Sequence, residues 1–475
     1  ELYSLTNLTV TSPQHAPKKL TDEAIFMIFI ISIFLILAAI GTTITAYDNY
    51  YEPHKKRRRS SDGEFDHKTP INSHREKTLI ENSGGKKGFS EELYYIKLKP
   101  FFNCFCIYTN GKRILSTVSN DGEFVWLHGI RIIGNIWITA IHVGLFYFNS
   151  LSDASVFKLW RNYWLTPLFL NGTCVISLFF VLSGFLNGYF TSLDYFKKRG
   201  TISWLRFYRK RLLRIAPLYA MILGCYSILF PYMGSGPVWP AYGTNPVFKK
   251  SWWSNLIFLN NFQSSWIQCY NPAWYMAADM QLLLISPIFP ISLFKVWNFV
   301  DIIYIKPVSN LGAYLIGFGL GHYLWKREMC KKGRNDMITL CCGWIGFAIC
   351  FQICFNVLYF SKETLLKRIA FNGFSDFFFS CCVAWIIYVC ATKQGGFVSR
   401  LLSLKIFLPL SRLAFAAYLI NCIVILHYFF SSTKPADPFS ISFLIGIILY
   451  VTVCTYVISF IASLFVEFPM SRLLR

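Results

Sequence analysis

The chain has 475 residues, 54% of them hydrophobic and 18% aromatic, and carries a formal charge of +22. Several apolar runs exceed what soluble core helices need, which excludes an ordinary globular enzyme and defines an all-α, polytopic helical bundle in a membrane. The positive charge fits the Lys and Arg that collect in cytoplasmic loops of such proteins, so it gives no ground for a nucleic-acid partner.

Most of the 15 cysteines lie in apolar segments, where they pack as small hydrophobes. Cys269 is the one expected to face the lumen, and no disulfide framework is legible. The chain begins at Glu1 rather than Met, so further sequence is expected upstream.

Residues 1–22 read as a polar luminal or extracellular tail containing the sequon Asn7-Leu8-Thr9. Residues 23–47 form a first span, uncharged from Ile25 to Ala46. The run Lys55-Lys56-Arg57-Arg58-Arg59 after it is far more basic than Lys18-Lys19, which Asp22 and Glu23 offset. That difference puts the N-terminus outside and the next segment in the cytoplasm. A nuclear-localisation signal is the rival reading of the basic run, but beside a span it fits a topological anchor better. Residues 48–125 read as a cytoplasmic linker, polar and flexible over 51–98 with order returning near Phe101, and 126–475 as a multi-span membrane domain.

The next span, Gly129–Phe148, holds Arg131 near the cytoplasm and His142 in the outer half. Eleven positions are three helical turns plus about 20°, so the two share a face roughly 16 Å apart along the axis, with Asn135 between them. A cation and an imidazole in hydrocarbon cost at least a few kcal/mol, so this face is expected to line an intramembrane reaction chamber. A bland alternative remains: Arg131 snorkels at a helix end and His142 bonds a neighbouring helix.

A third span covers 165–190, with Ser183-Gly184 allowing close helix approach. A basic cytoplasmic loop is expected next, running through Arg206, Arg209, Lys210, Arg211 and Arg214. By default these are positive-inside residues, and their density also suits a phosphate-bearing ligand. A fourth span, 215–232, leads to an aromatic-rich exterior loop containing Trp274 and Tyr275. Asp279 and Gln281 open the following apolar run, where a carboxylate is a functional candidate.

Later spans are expected at 311–325, 337–360, 372–390, 413–430 and 441–465, about ten crossings in all. That count puts the basic segments 326–334 and 471–475 outside, against the positive-inside rule. One additional crossing between Gln281 and Lys306 would repair every loop, yet the interval is short for two full spans. Either part of the interval is re-entrant or a helix has been lost there, and the loss is the expectation.

With these stretches in view, the chain resembles the acyltransferase-3 superfamily, and more closely its animal nose-resistant-to-fluoxetine branch. The matching segments are YTNGKRILS, LHGIRIIGNIWITAIH, FFVLSGFL, FYRKRLLRIAPLY, WWSNLIFLNNF, NPAWYMAADMQ, YIKP before GAYLIGFGLG, GGFVSRLLS, PLSRLAFAAYL and VEFP, in the family's order across 101–470. Three departures stand out. Ser177 replaces a usual acidic residue, Val308-Ser309-Asn310 replace Trp-Thr-Arg, and Asn421 replaces a usual His. The cysteine-rich extracellular domain that precedes the first span in that branch has no counterpart in these residues.

The resemblance implies acyl transfer from acyl-CoA, without a metal, to an acceptor at the luminal or extracellular side. His142 is the expected general base, its imidazole titrating near working pH. Arg131 is expected to bind the donor's phosphates or carbonyl, and Asp279 to orient the imidazole. Asn135, Arg206, Arg209, Arg211, Arg214, Trp274, Tyr275 and Gln281 are the expected substrate contacts. Membrane lipids surround the protein, in the plasma membrane or an endomembrane. Acyl chain, acceptor and oligomeric state are not legible. Because members of the branch are associated with lipid and drug uptake, a transporter or a catalytically retired scaffold stays open as the second reading.

Overall fold

The structure is a computed structural model that describes residues 18–61, 98–119, 122–151, 169, 172, 174–263, 268–286, 309–330, 337–356, 365–433 and 439–474. Every regular element among them is helical. The chain is an integral multi-pass membrane protein: eight helices among the described residues are long and apolar enough to cross a bilayer. It divides into two compact units, one of Glu1–Met27 with Leu115–Phe460 and one of Ile28–Ile114 with Ile461–Arg475.

The smaller unit contains most of α1 (Asp22–Ser61), the short helices α2 (Lys99–Cys104) and α3 (Ile107–Leu115), and the C-terminal turn. α2 and α3 fall inside the expected linker, so that segment is partly ordered. The reason is local amphipathy: Phe105 and Ile114 are buried while Tyr108 and Leu115 face outward. Gly41 lets α1 approach the Phe102 carbonyl closer than any Cβ would permit. Arg472 donates to the Asn103 carbonyl at 2.9 Å and to Asn110 Oδ1 at 3.2 Å.

The larger unit carries the long helices α4 (Trp126–Asn149), α5 (Cys174–Lys197) and α6 (Trp204–Gly224), then the shorter α7 (Pro246–Leu256) and α8 (Trp274–Ile285). They are followed by α9 (Ser309–Met329), α10 (Met337–Asn356), α11 (Leu365–Ala391), α12 (Gly396–Leu402), α13 (Phe407–Ser431) and α14 (Ile441–Ala462). The stretch 204–214, expected as a loop, is instead the first three turns of α6. Its Leu, Arg and Lys content favours helix, which turns Arg211 toward the protein and leaves Arg206, Arg209, Lys210 and Arg214 exposed.

α5 and α9 interlock through glycines. Gly184 and Gly188 of α5 face the Tyr314 and Phe318 carbonyls, and Gly317 and Gly321 of α9 face the Val181 and Phe185 carbonyls, each with no room for a Cβ. In lipid, where apolar burial between helices gives little driving force, this close backbone approach supplies dispersion contact in its place. Around it, Asn187 donates to the Tyr314 hydroxyl at 2.8 Å, and the Ser192 hydroxyl lies 3.0 Å from His322 Nδ1. α9 is not among the eight apolar spans; besides its polar ends it carries four glycines, two tyrosines and His322 between Ser309 and Lys326.

The contacts of α5 with α9 advance together along both chains, so the two helices are parallel. The same holds for α4 and α13: His128 meets Ser411, Asn135 meets Ala414, and His142 meets Cys422. Ten crossings would make both pairs antiparallel, whereas one additional crossing makes both parallel. The helix directions therefore agree with the loop charges. The interval from 287 to 308, where a lost helix was expected, lies outside the described residues.

Candidate functional site

α4 presents its polar side chains to protein. Arg131 and His142 are half-buried, His128, Asn135 and Thr139 are buried, and Ile133 and Ile136, about 140–200° round the axis from Arg131, are exposed. Two stations form along this face.

The first station is basic. Arg211, on the third turn of α6, donates to Asn187 Oδ1 at 3.3 Å and Ser183 Oγ at 3.2 Å, and pairs with Asp279 Oδ2. The pair is largely shielded, with side-chain exposures of 26% and 11%. Asp279 Oδ1 keeps no hydrogen-bond partner. Tyr275, one turn before Asp279, packs its ring on Phe180 at 4.8 Å and Tyr418 at 5.6 Å. Arg131 sits in the electrostatic field of Arg214, Glu123, Tyr275 and Arg211, and has no ion pair among the described residues. Arg131 is within electrostatic range of Arg211 and of Arg214, which is exposed, so three guanidinium groups stand near two carboxylates, Glu123 on the Arg131 side and Asp279 paired with Arg211, leaving one cation in excess.

The second station is nearly neutral. His142 Nδ1 lies 3.5 Å from Cys422 Sγ, and Asn421 stands beside the imidazole. The Asn421 amide donates to Thr139 Oγ1 at 3.5 Å, while its carbonyl oxygen, on a residue only 1% exposed, has the His142 imidazole as the one donor beside it among the described residues. Asn135 stands between the stations: its amide donates to the Ala414 carbonyl at 3.0 Å and its oxygen is unpartnered. Buried acceptors without donors are costly, and such positions mark where a ligand's N–H or O–H would be welcome.

Several expected roles change. Asp279 does not orient His142; its carboxylate serves Arg211, because α8 runs alongside α6 with Leu284 accepting from Tyr208 at 3.1 Å. Gln281 is occupied structurally: it exchanges hydrogen bonds with Asn261 at 2.8 and 2.9 Å and donates to the Phe258 carbonyl. It thereby holds Phe258 at a positive φ of 59°, which a bulky residue rarely adopts. Arg206 and Arg209 are exposed on α6, and Trp274 is half-buried beside Tyr275. Cys269, expected to face the lumen, is buried with its sulfur 3.0 Å from Ser227 Oγ, and burial raises its thiol pKa to about 11.

Two groupings were not foreseen. Asp376 of α11 lies against Ser177 and Cys174 of α5, so a carboxylate from another helix stands where the resemblance led one to expect an acid at 177. His128 joins Glu123 to Ser411. A buried acid in a span and a His three residues before Arg131 were the sequence signals available for these; neither names its partner.

A multi-span helical protein with a basic cluster and a buried imidazole on one helix belongs to a recognisable class. Residues 124–304 match the acyltransferase-3 family model, described as an acyltransferase domain, and this segment contains both stations' α4 residues, the α6 basic run and Asp279. The chain is 25% identical over 452 residues to nose resistant to fluoxetine protein 6 of Caenorhabditis elegans, which covers 78% of this chain and 54% of that protein. It is 26% identical over 204 residues to the regulator of hypoxia-inducible factor 1 of the same organism, covering 40% of this chain and 38% of that one. The chain thus spans about half, or less, of the curated relatives it matches. No solved structure matches it. The chain is thus similar to the acyltransferase-3 membrane proteins over residues 124–304 and, over most of its length, to a nose-resistant-to-fluoxetine protein.

Proposed function

We propose that the chain is a membrane acyltransferase that takes an acyl group from acyl-CoA at the cytoplasmic side and delivers it to an acceptor at the luminal or extracellular side. The observation that supports this reading is the shielded Arg211–Asp279 pair with Arg131 and the exposed Arg214 within electrostatic range, and His142 three turns further along the same face of α4 as Arg131. Permanent cations hold the donor's phosphates, while a neutral imidazole near working pH is suited to proton transfer.

In this reading Arg131 anchors the donor and the thioester lies toward His142. His142 removes the acceptor's hydroxyl or amine proton as its oxygen or nitrogen bonds to the acyl carbon. The carbon–sulfur bond breaks, and the departing thiolate takes up the proton that His142 received. Asp279 positions Arg211, and Tyr275 closes the cluster from the side. The N-terminus lies on the acceptor side, as the charge difference across the first span requires.

The test is transfer from radiolabelled acyl-CoA by purified protein, with and without His142→Ala. Loss of transfer in the variant supports the enzyme. A second reading, transport of lipid or xenobiotic by a catalytically silent member, is favoured by Asn421 and Ser177, which stand where the resemblance leads one to expect a His and an acid. Uptake that survives His142→Ala, with no transfer by the wild type, would establish it in place of the first.

A further inference from the structure

The Glu123–His128–Ser411 grouping plays no part in the mechanism above. Glu123 Oε1 lies 3.0 Å from His128 Nε2, and Ser411 Oγ lies 2.8 Å from His128 Nδ1. His128 and Ser411 are 7% and 9% exposed, and the Glu123 side chain is one-third exposed. A carboxylate accepts only, so with neutral imidazole Nε2 carries the proton. Nδ1 is then the acceptor and the serine O–H the donor. The connectivity is carboxylate, imidazole, hydroxyl, the order that activates a serine oxygen for attack on an acyl carbon.

A tie between α4 and α13 would need only the Ser411 contact; the carboxylate behind the ring is what an anchoring role leaves unexplained. A cation is also at hand. Arg131, one turn along α4, acts on both His128 and Glu123, and Arg412, next to Ser411, acts on His128. The two guanidinium groups would offset the negative charge that develops on the acyl oxygen when Ser411 attacks. The approach of the chain segments is fixed by Gly129, whose missing Cβ leaves room for the Leu402 backbone that leads into α13.

From this geometry we infer that Ser411 is a nucleophile that accepts an acyl group from an acyl thioester or ester with an anionic head, at the Arg131 end of α4 and independently of His142. The Ser411 oxygen bonds to the acyl carbon, and its proton passes to His128 Nδ1. The carbon–sulfur or carbon–oxygen bond of the donor breaks, and the leaving group takes that proton. Water then attacks the acyl-serine with His128 as base, releasing the free acid and restoring Ser411. The net activity is hydrolysis of the donor.

The experiment is labelling of the purified full chain in detergent with a fluorescent alkyl fluorophosphonate, which forms a serine O–P bond with loss of fluoride, followed by peptide mapping. The expected result is an adduct on Ser411 in the native protein, none after heat denaturation and none in Ser411→Ala. Glu123→Gln keeps the size and a hydrogen bond but removes the charge, and should label at least tenfold more slowly. An unlabelled Ser411 in native wild-type protein, beside a soluble serine hydrolase that labels in the same tube, overturns the inference. So does equal labelling of wild type and Glu123→Gln. The probe contains no coenzyme A and needs no acceptor, so the result is independent of the transfer assay.

Discussion

The basic station and the His142 station share one face of one helix, yet they are held in opposite ways. Arg211 and Asp279 are fixed by three helices, α5, α6 and α8, through charged hydrogen bonds. Among the described residues, the polar contacts of His142 are with α13, through the Cys422 thiol and the Asn421 amide. A charged site inside a membrane protein needs several partners because an uncompensated buried charge costs several kcal/mol. An imidazole that must change protonation state during turnover is better left beside groups that commit it to neither form. In the proposed function one station holds an anion and the other moves a proton.

That contrast is broken most strongly at the proton-moving end. His142→Ala should lower acyl transfer by about 10²-fold or more while leaving donor binding within a few-fold, read by initial rates and by binding of a non-hydrolysable acyl-CoA analogue. Equal losses in both would mean that His142 is a packing residue.

At the anion-binding end, Asp279→Asn should destabilise the protein by about 3 kcal/mol because it leaves the Arg211 charge without its partner. Adding Arg211→Gln to that variant should recover part of the loss, measured by thermal unfolding in detergent. Failure of the second change to recover any stability would mean that the two side chains are not coupled.

A smaller effect is expected at Gln281. Gln281→Ala should cost about 1–2 kcal/mol through loss of the bonds to Asn261 and the Phe258 carbonyl, with donor affinity unchanged. A fall in affinity without a fall in stability would return Gln281 to the binding site.

The least effect concerns Cys269. Below pH 9 its thiol is protonated in both folded and unfolded chains, so folding is indifferent to it. Between pH 9 and about 11 the unfolded thiol ionises while the folded one keeps its proton, so this group's contribution to stability falls as pH rises. Alkylation by iodoacetamide at pH 8 should accordingly be much slower at Cys269 than at the exposed Cys330. Equal rates would place Cys269 at the surface.

How much of this was legible varies with the range of the interaction. The 3.6-residue repeat shows that Arg131, Asn135 and His142 share a face, because helix geometry is local and needs no partner. Loop charges asked for one more crossing, and the parallel α4–α13 and α5–α9 pairs agree. The basic run at 204–214 reads as a loop in sequence but is helical in the structure, because arginine density is the same on a helix and in a loop. Pairing was out of reach: Asp279 was assigned to His142 on chemical plausibility, while α8 brings it to Arg211, 68 positions away in the chain. Ser411 was invisible for the same reason, lying 283 positions from His128.

What the amino-acid order settled alone is therefore the membrane environment, the helical spans and the polar face of α4, all consequences of hydropathy and helical period. Tertiary structure decided which carboxylate meets which cation, where Gln281 spends its hydrogen bonds, and that a serine stands behind His128. Those choices depend on which helices pass within about 3 Å of one another, a distance set by packing and by glycines that let backbones touch.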